Sequence, residues 1–375
     1  MTSKKRVVLA GGGHAHLAVL DDWARQRLPG AECLLVTSSR YTAYSGMLPG
    51  WLAGFYRARE LFIDLKPLAE KSGVRLVLDE VVGLDADSRT LALASGEKLE
   101  SDVLSLATGG EIDVSALAAL GERLLPVRPV EAFMERWSAL LERATLRTNI
   151  HVCVVGGGAA GVELALGACA SLRRVFMQAR VSIVAPDGGF LDGHTESVRR
   201  RALSEIAGRG ISVHYAHAVA EENGLLLSTG AFLPADCVIA ATGSRAPSWL
   251  AKSGLACSSD GFVAVGSDLR SISHGTVFAA GDMVNRVDRN LERSGVHAVK
   301  AGPVLAANIR AALSGGEIRH YNPGRRTLYL LATGDRRAIL SWGRIATSGK
   351  FAWRLKDWID RYFVGRYTTA HGDRG

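Results

Sequence analysis

The sequence predicts an α/β fold in which one strand–helix–strand unit occurs twice, the second copy inserted in the first. Two glycine-rich turns, at residues 11–16 and 156–161, each follow a short apolar run that is typical of a central parallel strand. Each unit closes with an Ala-Thr-Gly triplet, whose threonine lies 97 residues after Gly11 in the first copy and 86 residues after Gly156 in the second. The matching order and similar length indicate an internal duplication.

The elements of the first unit follow from the spacing of its apolar residues. The run at residues 7–10 predicts the first strand, and a helix is expected from His14 to about Arg25. A second strand ends at Thr37. Turn-forming residues then separate a series of short strands, which we place at residues 75–78, 80–84, 90–94 and 102–106.

The second unit repeats this order. A strand ends at Val155 and a helix starts near Ala160. Further strands are expected at residues 181–184, 211–215, 225–228 and 236–240. After the second triplet the chain is predicted to return to the first unit over residues 258–280, to form a helix over 296–313 and a hairpin over 327–333 and 337–342, and to end in a helix over 351–367.

This order predicts two Rossmann-like dinucleotide-binding domains and a small C-terminal hairpin–helix region. One domain is expected in two parts because the chain returns to it after the second unit. The expected segments are the first part of that domain at residues 1–115, the inserted domain at 116–257, the second part of the first domain at 258–320, and the C-terminal region at 321–375.

The bulk composition is that of a globular protein and argues against a membrane-spanning protein and against a nucleic-acid-binding protein. Of the 375 residues, 47% are hydrophobic and 22% are charged, and no apolar stretch approaches the roughly 20 residues of a membrane-spanning helix. The net charge of +8 suits an anionic partner, but no basic run is long enough to predict nucleic-acid binding. Five scattered cysteines without a close pair fit a reducing cytoplasm and predict no metal site, and they are Cys33, Cys153, Cys169, Cys237 and Cys257.

The two glycine turns have the residues that a pyrophosphate site needs. Glycine lets the backbone approach the phosphates closely, and the helix that follows offers free N–H groups and the positive end of its dipole. The second turn is complete, with Gly156, Gly158 and Gly161. The first turn has Gly11 and Gly13, but His16 occupies the third position, where a glycine normally allows close packing of helix on strand, so His16 would need local space.

Neither unit has the acidic residue that usually ends the second strand and binds ribose hydroxyls. The first unit has Thr37-Ser38-Ser39-Arg40 there, whose hydroxyls could bond a ribose and whose arginine could meet a phosphate or lie in a solvated loop. In the second unit Asp187 comes two places late, which favours NADH over NADPH without deciding between them. Late in the chain, Asp282 follows an apolar strand and Gly281, and its carboxylate could bind polyol hydroxyls such as those of a ribityl chain.

These features resemble those of the two-dinucleotide-binding-domain flavoproteins, the pyridine nucleotide-disulfide oxidoreductase superfamily. Within it the chain is most similar to type II NADH:quinone oxidoreductases, sulfide:quinone oxidoreductases and the NADH-dehydrogenase-like flavoprotein module found alone or fused ahead of selenide, water dikinase. The resemblance covers nearly the whole chain and rests on three segments, at residues 11–17, 40–50 and 295–308.

The resemblance implies FAD on the first unit and NAD(P)H on the second. The residues expected around FAD are Gly11, Gly13, His14, Ala15, Thr37, Ser38, Arg40, Pro49, Thr108, Gly109, Gly281 and Asp282. Those expected around NAD(P)H are Gly156, Gly158, Gly161, Asp187, Thr242 and Gly243. Residues 45–49 would approach the flavin ring, and the helix that starts near Val296 would point its N-terminus at the ring.

Two residues are candidates for catalytic roles by the same resemblance. Glu163, near the start of the helix after the second turn, would lie near the flavin and the nicotinamide, although a surface glutamate that complements the helix dipole is the alternative. Lys300 could add positive charge at the flavin, although a solvated surface lysine is the alternative.

The expected function is an FAD-dependent oxidoreductase that takes hydride from NAD(P)H and passes electrons to a quinone-like acceptor. No cysteine pair is spaced for a redox-active disulfide, so electrons would leave the flavin without a thiol. One alternative is a selenium- or sulfur-linked flavin oxidoreductase that acts with selenide, water dikinase. Another is a non-catalytic flavin-binding redox sensor.

The last helix carries an aromatic and aliphatic stripe that predicts a contact surface. Its members are Phe351, Leu355, Trp358, Ile359, Tyr362 and Phe363, with basic residues around them and Trp353 on the opposite, polar side. The stripe could pack on the body of the protein, form a homodimer contact or lie on a membrane surface. We therefore expect a cytoplasmic protein, with peripheral attachment to the inner face of a membrane as the alternative.

Overall fold

The computed structural model describes residues 4–143, 149–176, 178–324 and 326–368. The predicted strands and the predicted helix of the first unit are present, together with three further short strands and two further helices. The strands are β1 Lys5–Ala10, β2 Ala31–Thr37, β3 Tyr41–Ala43, β4 Phe62–Asp64, β5 Arg75–Leu78, β6 Val81–Asp85, β7 Thr90–Leu93, β8 Lys98–Glu100 and β9 Val103–Leu106. The helices are α1 His14–Arg25, α2 Leu48–Leu52 and α3 Leu65–Ser72.

The second unit has the same plan, with a helix before its first central strand. The strands are β10 Glu111–Ile112, β11 Leu124–Pro126, β12 Asn149–Val155, β13 Gln178–Ala185, β14 Ser212–Tyr215, β15 Ala218–Glu221, β16 Gly224–Leu227, β17 Phe232–Pro234, β18 Cys237–Ala240 and β19 Ser244–Arg245. The helices are α4 Val130–Arg143, α5 Ala159–Leu172 and α6 Glu196–Gly208.

The chain then returns to the first unit and ends in a small antiparallel sheet and a long helix. The remaining strands are β20 Val263–Val265, β21 Val277–Ala279, β22 Val284–Arg286, β23 Leu328–Ala332, β24 Ala338–Trp342 and β25 Ile345–Gly349. The remaining helices are α7 Gly295–Ser314 and α8 Lys350–Thr368. The predicted C-terminal hairpin is therefore part of a three-stranded sheet, since β25 pairs with β24.

Four strands of each large sheet follow the same topology, which confirms the α/β fold with a duplicated unit. The fifth strand differs, because β21 follows the other four along the chain and β11 precedes its four. All strand pairs are parallel, in the order β21-β9-β1-β2-β5 in the first sheet and β11-β18-β12-β13-β14 in the second. Strand β21 comes after the whole second unit yet pairs with β9 of the first. The second unit is therefore inserted in the first.

The core lies on both faces of these sheets because their central strands are apolar along most of their length. Leu9 pairs with Leu35, and Val8 pairs with Leu34 and Leu104, and all of these side chains are fully buried. Because every strand of a parallel sheet ends at the same edge, the two glycine turns and the two Ala-Thr-Gly triplets are brought to the carboxyl edges of their sheets.

His16 is accommodated in the first turn without disturbing the helix. Its ring is fully buried, with Nδ1 2.6 Å from the Gly11 carbonyl oxygen and Nε2 2.8 Å from the Ser105 hydroxyl on β9. Burial lowers the pKa of His16 to about 4, so the ring is neutral at physiological pH. A hydrogen-bonded neutral imidazole thus fills the space that the missing glycine would leave open, and α1 starts at His14 as predicted.

The orientation predicted for the last helix was wrong. Trp353, expected on the polar side, is buried, as are Lys356 and Asp360 from that side of α8. Three aromatic members of the predicted stripe instead face outward, with 53% of Phe351, 63% of Trp358 and 65% of Tyr362 exposed. The buried face of α8 is itself apolar over much of its length, and Lys356 and Asp360 find hydrogen-bond partners from other segments within it. The apolar residues on this face are Ala352, Trp353, Phe363, Val364 and Tyr367.

Within the ranges that the structure describes, no helix combines the length and the apolar character needed to cross a membrane.

Candidate active site

A cleft of about 630 Å³ lies at the carboxyl edge of the first sheet. It is bounded by the first glycine turn, the end of β2, the first Ala-Thr-Gly triplet and the start of α7. The predicted residues that line it are Gly13, His14, Ala15, Thr37, Ser38, Thr108, Gly109, Gly281 and Asp282. The structure therefore brings together nine of the twelve residues that the resemblance assigned to FAD.

The first turn fits a pyrophosphate group. A Cβ at Gly11 would lie 2.5 Å from the Ala107 carbonyl oxygen, and a Cβ at Gly13 would overlap the same oxygen, so larger residues would push the turn off the sheet. Among the described residues no side chain caps the N-terminus of α1. The free N–H groups of this twelve-residue helix therefore remain available to an anion in the cleft.

Asp282 fits the polyol part of such a group. Its carboxylate lines the cleft, and its Oδ1 atom is buried without a hydrogen-bond partner among the described residues. A buried carboxylate oxygen without a donor is costly, and a polyol hydroxyl would supply that donor.

Four other predicted residues lie outside the lining of this cleft. Gly11 lies beneath the turn, and Arg40 is bound to Asp64 through two bonds of 2.9 and 2.5 Å. Pro49 is buried in α2, which packs on α5, and Lys300 is exposed on α7. Arg40 thus has a carboxylate partner, because β3 and β4 pair antiparallel and bring Asp64 beside it.

The second turn has the same close approach to its sheet. A Cβ at Gly156 would overlap the carbonyl oxygen of Ala241, and a Cβ at Gly161 would overlap that of Gly156 itself. Gly158 caps α5 without a side-chain partner in the described part of the chain. Asp187 is exposed in the turn after β13.

The second triplet is held to the strands that link the two units. Thr242 donates a hydrogen bond of 2.6 Å from its hydroxyl to the Asp113 carbonyl oxygen. Gly243 has φ +97°, a conformation that favours glycine. Strands β10 and β19, which directly follow the two triplets, pair with each other and so join the carboxyl edges of the two sheets.

A cluster of polar side chains lies where α8 packs against residues 44–46, and we call its members, the buried Lys356 and Asp360 and the half-buried Glu163 and Tyr44, the charge cluster. The ammonium of Lys356 lies 3.0 Å from Asp360 Oδ2 and donates a 2.8 Å hydrogen bond to the carbonyl oxygen of Gly46. The Tyr44 hydroxyl donates to Asp360 Oδ1 at 3.1 Å. Glu163 Oε1 accepts a 2.7 Å bond from the Ala332 backbone N–H.

The pKa values in the charge cluster follow from burial and from mutual attraction. Burial raises the pKa of Glu163 to about 7, although Lys356 and the Ala332 N–H favour its ionised form. Burial alone would lower the pKa of Lys356, but the carboxylates of Asp360 and Glu163 raise it above its ordinary value. The cluster therefore contains a lysine that stays charged and a carboxyl that exchanges a proton near neutral pH.

The charge cluster is connected to the cleft through residues 43–46. Ser45 lines the cleft, and the next residue, Gly46, accepts the hydrogen bond from Lys356. The Tyr44 ring contacts the rings of His14 and Phe363, with centroid distances of 5.5 and 4.5 Å. Burial lowers the pKa of His14, so this cleft residue is neutral.

The thiols are remote from this chemistry. All five cysteines are free, none lines the cleft, and four are buried. Burial raises the pKa of Cys153 and of Cys237 to about 12, so neither forms a thiolate at neutral pH. Within the described ranges, no group of three or more metal-ligating side chains converges.

Sequence reasoning missed Lys356, Asp360 and Arg128, which also lines the cleft. Lys356 and Asp360 are spaced i, i+4 on one helix face, which could have indicated a pair. Their position among the charged residues around an aromatic stripe suggested solvent instead. Arg128 lies between Pro126 and Pro129, in a segment without periodicity that gave no signal.

Replacement of Glu163 by glutamine is expected to slow turnover more than it lowers FAD content. It should also change the pH dependence of stability. The folded protein keeps a proton on Glu163 up to about pH 7, whereas the unfolded chain releases it near 4.5. The folded state therefore binds more protons between these values, and this group's contribution makes the free energy of unfolding fall as pH rises.

Denaturant titrations from pH 4 to 8 would measure the free energy of unfolding. The difference in this free energy between wild type and Glu163→Gln should vary across that pH range. Glu196→Gln is the matched control, since Glu196 starts α6 and is exposed. A pH-independent difference, together with unchanged turnover, would contradict the prediction.

Two dinucleotide units that share a four-strand parallel topology, joined at their carboxyl edges beside a pyrophosphate-type cleft, define an oxidoreductase that works with two dinucleotides. The chain belongs to the pyridine nucleotide-disulphide oxidoreductase family, whose model matches residues 5–302. It is an FAD-dependent enzyme of pyridine nucleotides.

Individual relatives agree with this family. The chain is 25% identical to ferroptosis suppressor protein 1 of Xenopus tropicalis, over 96% of this chain and 91% of that protein. It is 26% identical to the mitochondrial external alternative NAD(P)H-ubiquinone oxidoreductase B1 of Solanum tuberosum, over 44% of this chain and 32% of that one. The solved structure of NDH2 from Plasmodium falciparum in complex with NADH superimposes with a TM-score of 0.80 at 12% identity, covering 98% of both chains.

Proposed function

We propose that this protein takes hydride from NAD(P)H onto FAD and passes the electrons to a quinone without a redox-active disulfide. The observation that carries the proposal is the duplicated glycine turn on two parallel sheets that share the order of four strands, with no cysteine in the cleft. The potato relative is named as an NAD(P)H-ubiquinone oxidoreductase, which supports both the donor and the acceptor.

The residues of the cleft would hold FAD along its length. The N-terminus of α1 and Gly13 would bind the pyrophosphate, and Asp282 would accept hydrogen bonds from the polyol. The turn at Gly156 and Gly161 would hold the pyrophosphate of NAD(P)H on the second unit. Bound FAD supplies the two-electron carrier between nicotinamide and quinone.

The charge cluster would tune this reaction. Lys356 keeps a positive charge beside residues 45–46, and Ser45 belongs to the wall of the cleft. This charge would stabilise the negative charge of the reduced flavin. Glu163 would hold or release a proton near neutral pH, since its pKa is about 7. Electrons would then reach the acceptor directly, because the thiols lie away from the cleft.

The direct test is an anaerobic half-reaction. The purified yellow protein is mixed with NADH and then with NADPH, and the flavin absorbance is followed near its oxidised maximum. We expect rapid bleaching by one or both donors and recovery of the colour when a short-chain quinone is added. Bound FAD that neither nucleotide bleaches would overturn the proposal and favour the selenium-linked or sensory alternatives.

We further propose that α8 attaches the protein to the cytoplasmic surface of a membrane, where a quinone dissolves. Phe351, Trp358 and Tyr362 lie on one outward face at spacings of seven and four residues. Lys350 and Arg354 are exposed on the same helix. Aromatic and basic side chains together suit the interface of an anionic bilayer.

Replacing Phe351, Trp358 and Tyr362 together by serine is expected to abolish co-sedimentation with anionic vesicles and to leave the NADH bleaching rate unchanged. The three side chains are exposed, so their loss should leave the fold intact. Phe232→Ser, which removes a 47% exposed aromatic residue from β17, is the matched control and should bind vesicles normally. Equal vesicle binding by the triple variant would reject the membrane role, and dissociation of a dimer in the triple variant would assign the face to a homodimer contact.

A further inference from the structure

Arg128 joins the inserted unit to the cleft of the first unit. It lies between β11, an edge strand of the second sheet, and α4. Its side chain nevertheless lines the cleft of the first sheet. Arg128 is not among the residues that were expected to contact the cofactor.

The guanidinium of Arg128 bridges two walls of that cleft. One nitrogen lies 2.6 Å from Asp282 Oδ2, after the return strand β21. The other donates a 3.2 Å hydrogen bond to the carbonyl oxygen of Gly110, directly after the first Ala-Thr-Gly triplet. These contacts hold three segments that are distant in sequence at one point of the cleft.

The ion pair determines which oxygen of Asp282 is available to a ligand. Oδ2 is held by Arg128, while Oδ1 is buried and has no hydrogen-bond partner in the described part of the chain. A carboxylate held at one oxygen has a fixed orientation, and its second oxygen then accepts a hydrogen bond at little further entropic cost.

We propose that Arg128 is a positioning residue, which orients the Asp282 carboxylate so that Oδ1 accepts a hydroxyl of the FAD polyol. The inference rests on the proposed FAD site. It also makes cofactor affinity depend on the segment that connects the two units, because Arg128 belongs to that segment.

A role in folding alone does not account for this pair. The Arg128 side chain is 36% exposed and that of Asp282 is 15% exposed, and pairs with such access to water contribute little to stability. Loss of Arg128 is therefore expected to change FAD affinity more than the free energy of unfolding.

The test is a double-mutant cycle on the holoenzyme. The FAD dissociation constant is measured by dilution of the purified protein, from the rise in free-flavin fluorescence, for wild type, Arg128→Met, Asp282→Asn and the double variant. We expect Arg128→Met to weaken binding about tenfold. We expect the double variant to bind no more weakly than Asp282→Asn alone, because Arg128 acts through Asp282.

Two further variants separate positioning from a general effect of charge. Arg128→Lys keeps the charge and one hydrogen bond and should recover part of the affinity. Arg6→Met is the control for loss of a half-exposed arginine, since the Arg6 side chain is 42% exposed, pairs with Glu32 at 2.8 Å and lies near the start of β1, away from the cleft.

The outcomes distinguish this inference from the function on which it rests. A wild-type protein that binds no FAD overturns both. FAD binding that is unchanged in Arg128→Met, or effects that add fully in the double variant, overturn the positioning role and leave the proposed function intact. If Arg128→Met does not fold, the same cycle with Arg128→Lys decides, and full additivity there also overturns the positioning role.

Discussion

Replacing Lys356 with methionine is expected to lower the free energy of unfolding by about 3 kcal/mol and turnover by about a hundredfold. The stability loss arises because Asp360, which is 3% exposed, would keep a buried carboxylate without its cation. The loss of turnover arises because the positive charge beside Gly46 would be gone. Urea titration measures the first effect and NADH-dependent quinone reduction the second.

A double variant separates the two effects. In Lys356→Met/Asp360→Asn the buried charge is removed with its partner, and the Tyr44 hydroxyl keeps an acceptor, so most of the stability should return. Turnover should stay low, because the lysine charge is still missing. Recovery of turnover along with stability would show that Lys356 is purely structural. Lys350→Met, at the exposed start of the same helix, should change neither quantity.

Replacing Gly161 with alanine is expected to weaken NAD(P)H binding about a hundredfold, which corresponds to ~2.7 kcal/mol, while FAD content stays normal. The added Cβ would overlap the carbonyl oxygen of Gly156, so the second turn must open where the pyrophosphate would bind. The first turn lies on the other sheet and should keep its cofactor. Nucleotide titration of the flavin bleaching rate measures the binding, and the visible spectrum measures FAD content.

Gly208→Ala is the control for this experiment. Gly208 belongs to the same unit, at the end of α6, and a Cβ there would meet no atom within 4 Å. Its nucleotide affinity should equal that of the wild type. Parallel loss of FAD and NAD(P)H in Gly161→Ala would instead indicate that the two units do not bind their ligands separately.

Much of the fold could be predicted because its determinants are local. Strand β1 is apolar because both faces of its sheet are covered, and the periodicity of α1 starts directly after Gly13. The order of elements repeats, so β9 and β18 could be placed as equivalent strands before any contact was known. The wall of the cleft near Asp282 followed from the same reasoning, since it lies at the carboxyl end of a predicted strand.

The orientation of α8 and the partner of Arg40 could not be predicted, because they depend on residues that are far apart in sequence. The stripe on α8 predicted which residues are apolar but not which face is buried. Lys356 and Asp360 lie on the buried face, and their partners Gly46 and Tyr44 come from about 310 residues earlier in the chain. Arg40, for which the sequence left a phosphate contact and a solvated loop as alternatives, is bound to Asp64 because two short strands pair there.

By itself the sequence determined the duplicated α/β plan, the two glycine turns and the absence of a closely spaced thiol pair, because each depends on residues that are neighbours along the chain. The tertiary structure decided how His16 fits, which oxygen of Asp282 is free and where Lys356 keeps its charge. Each of these depends on a polar group finding a partner in a segment that is distant along the chain. The cost of leaving such a group unpaired selects the arrangement, and periodicity contains no record of that cost.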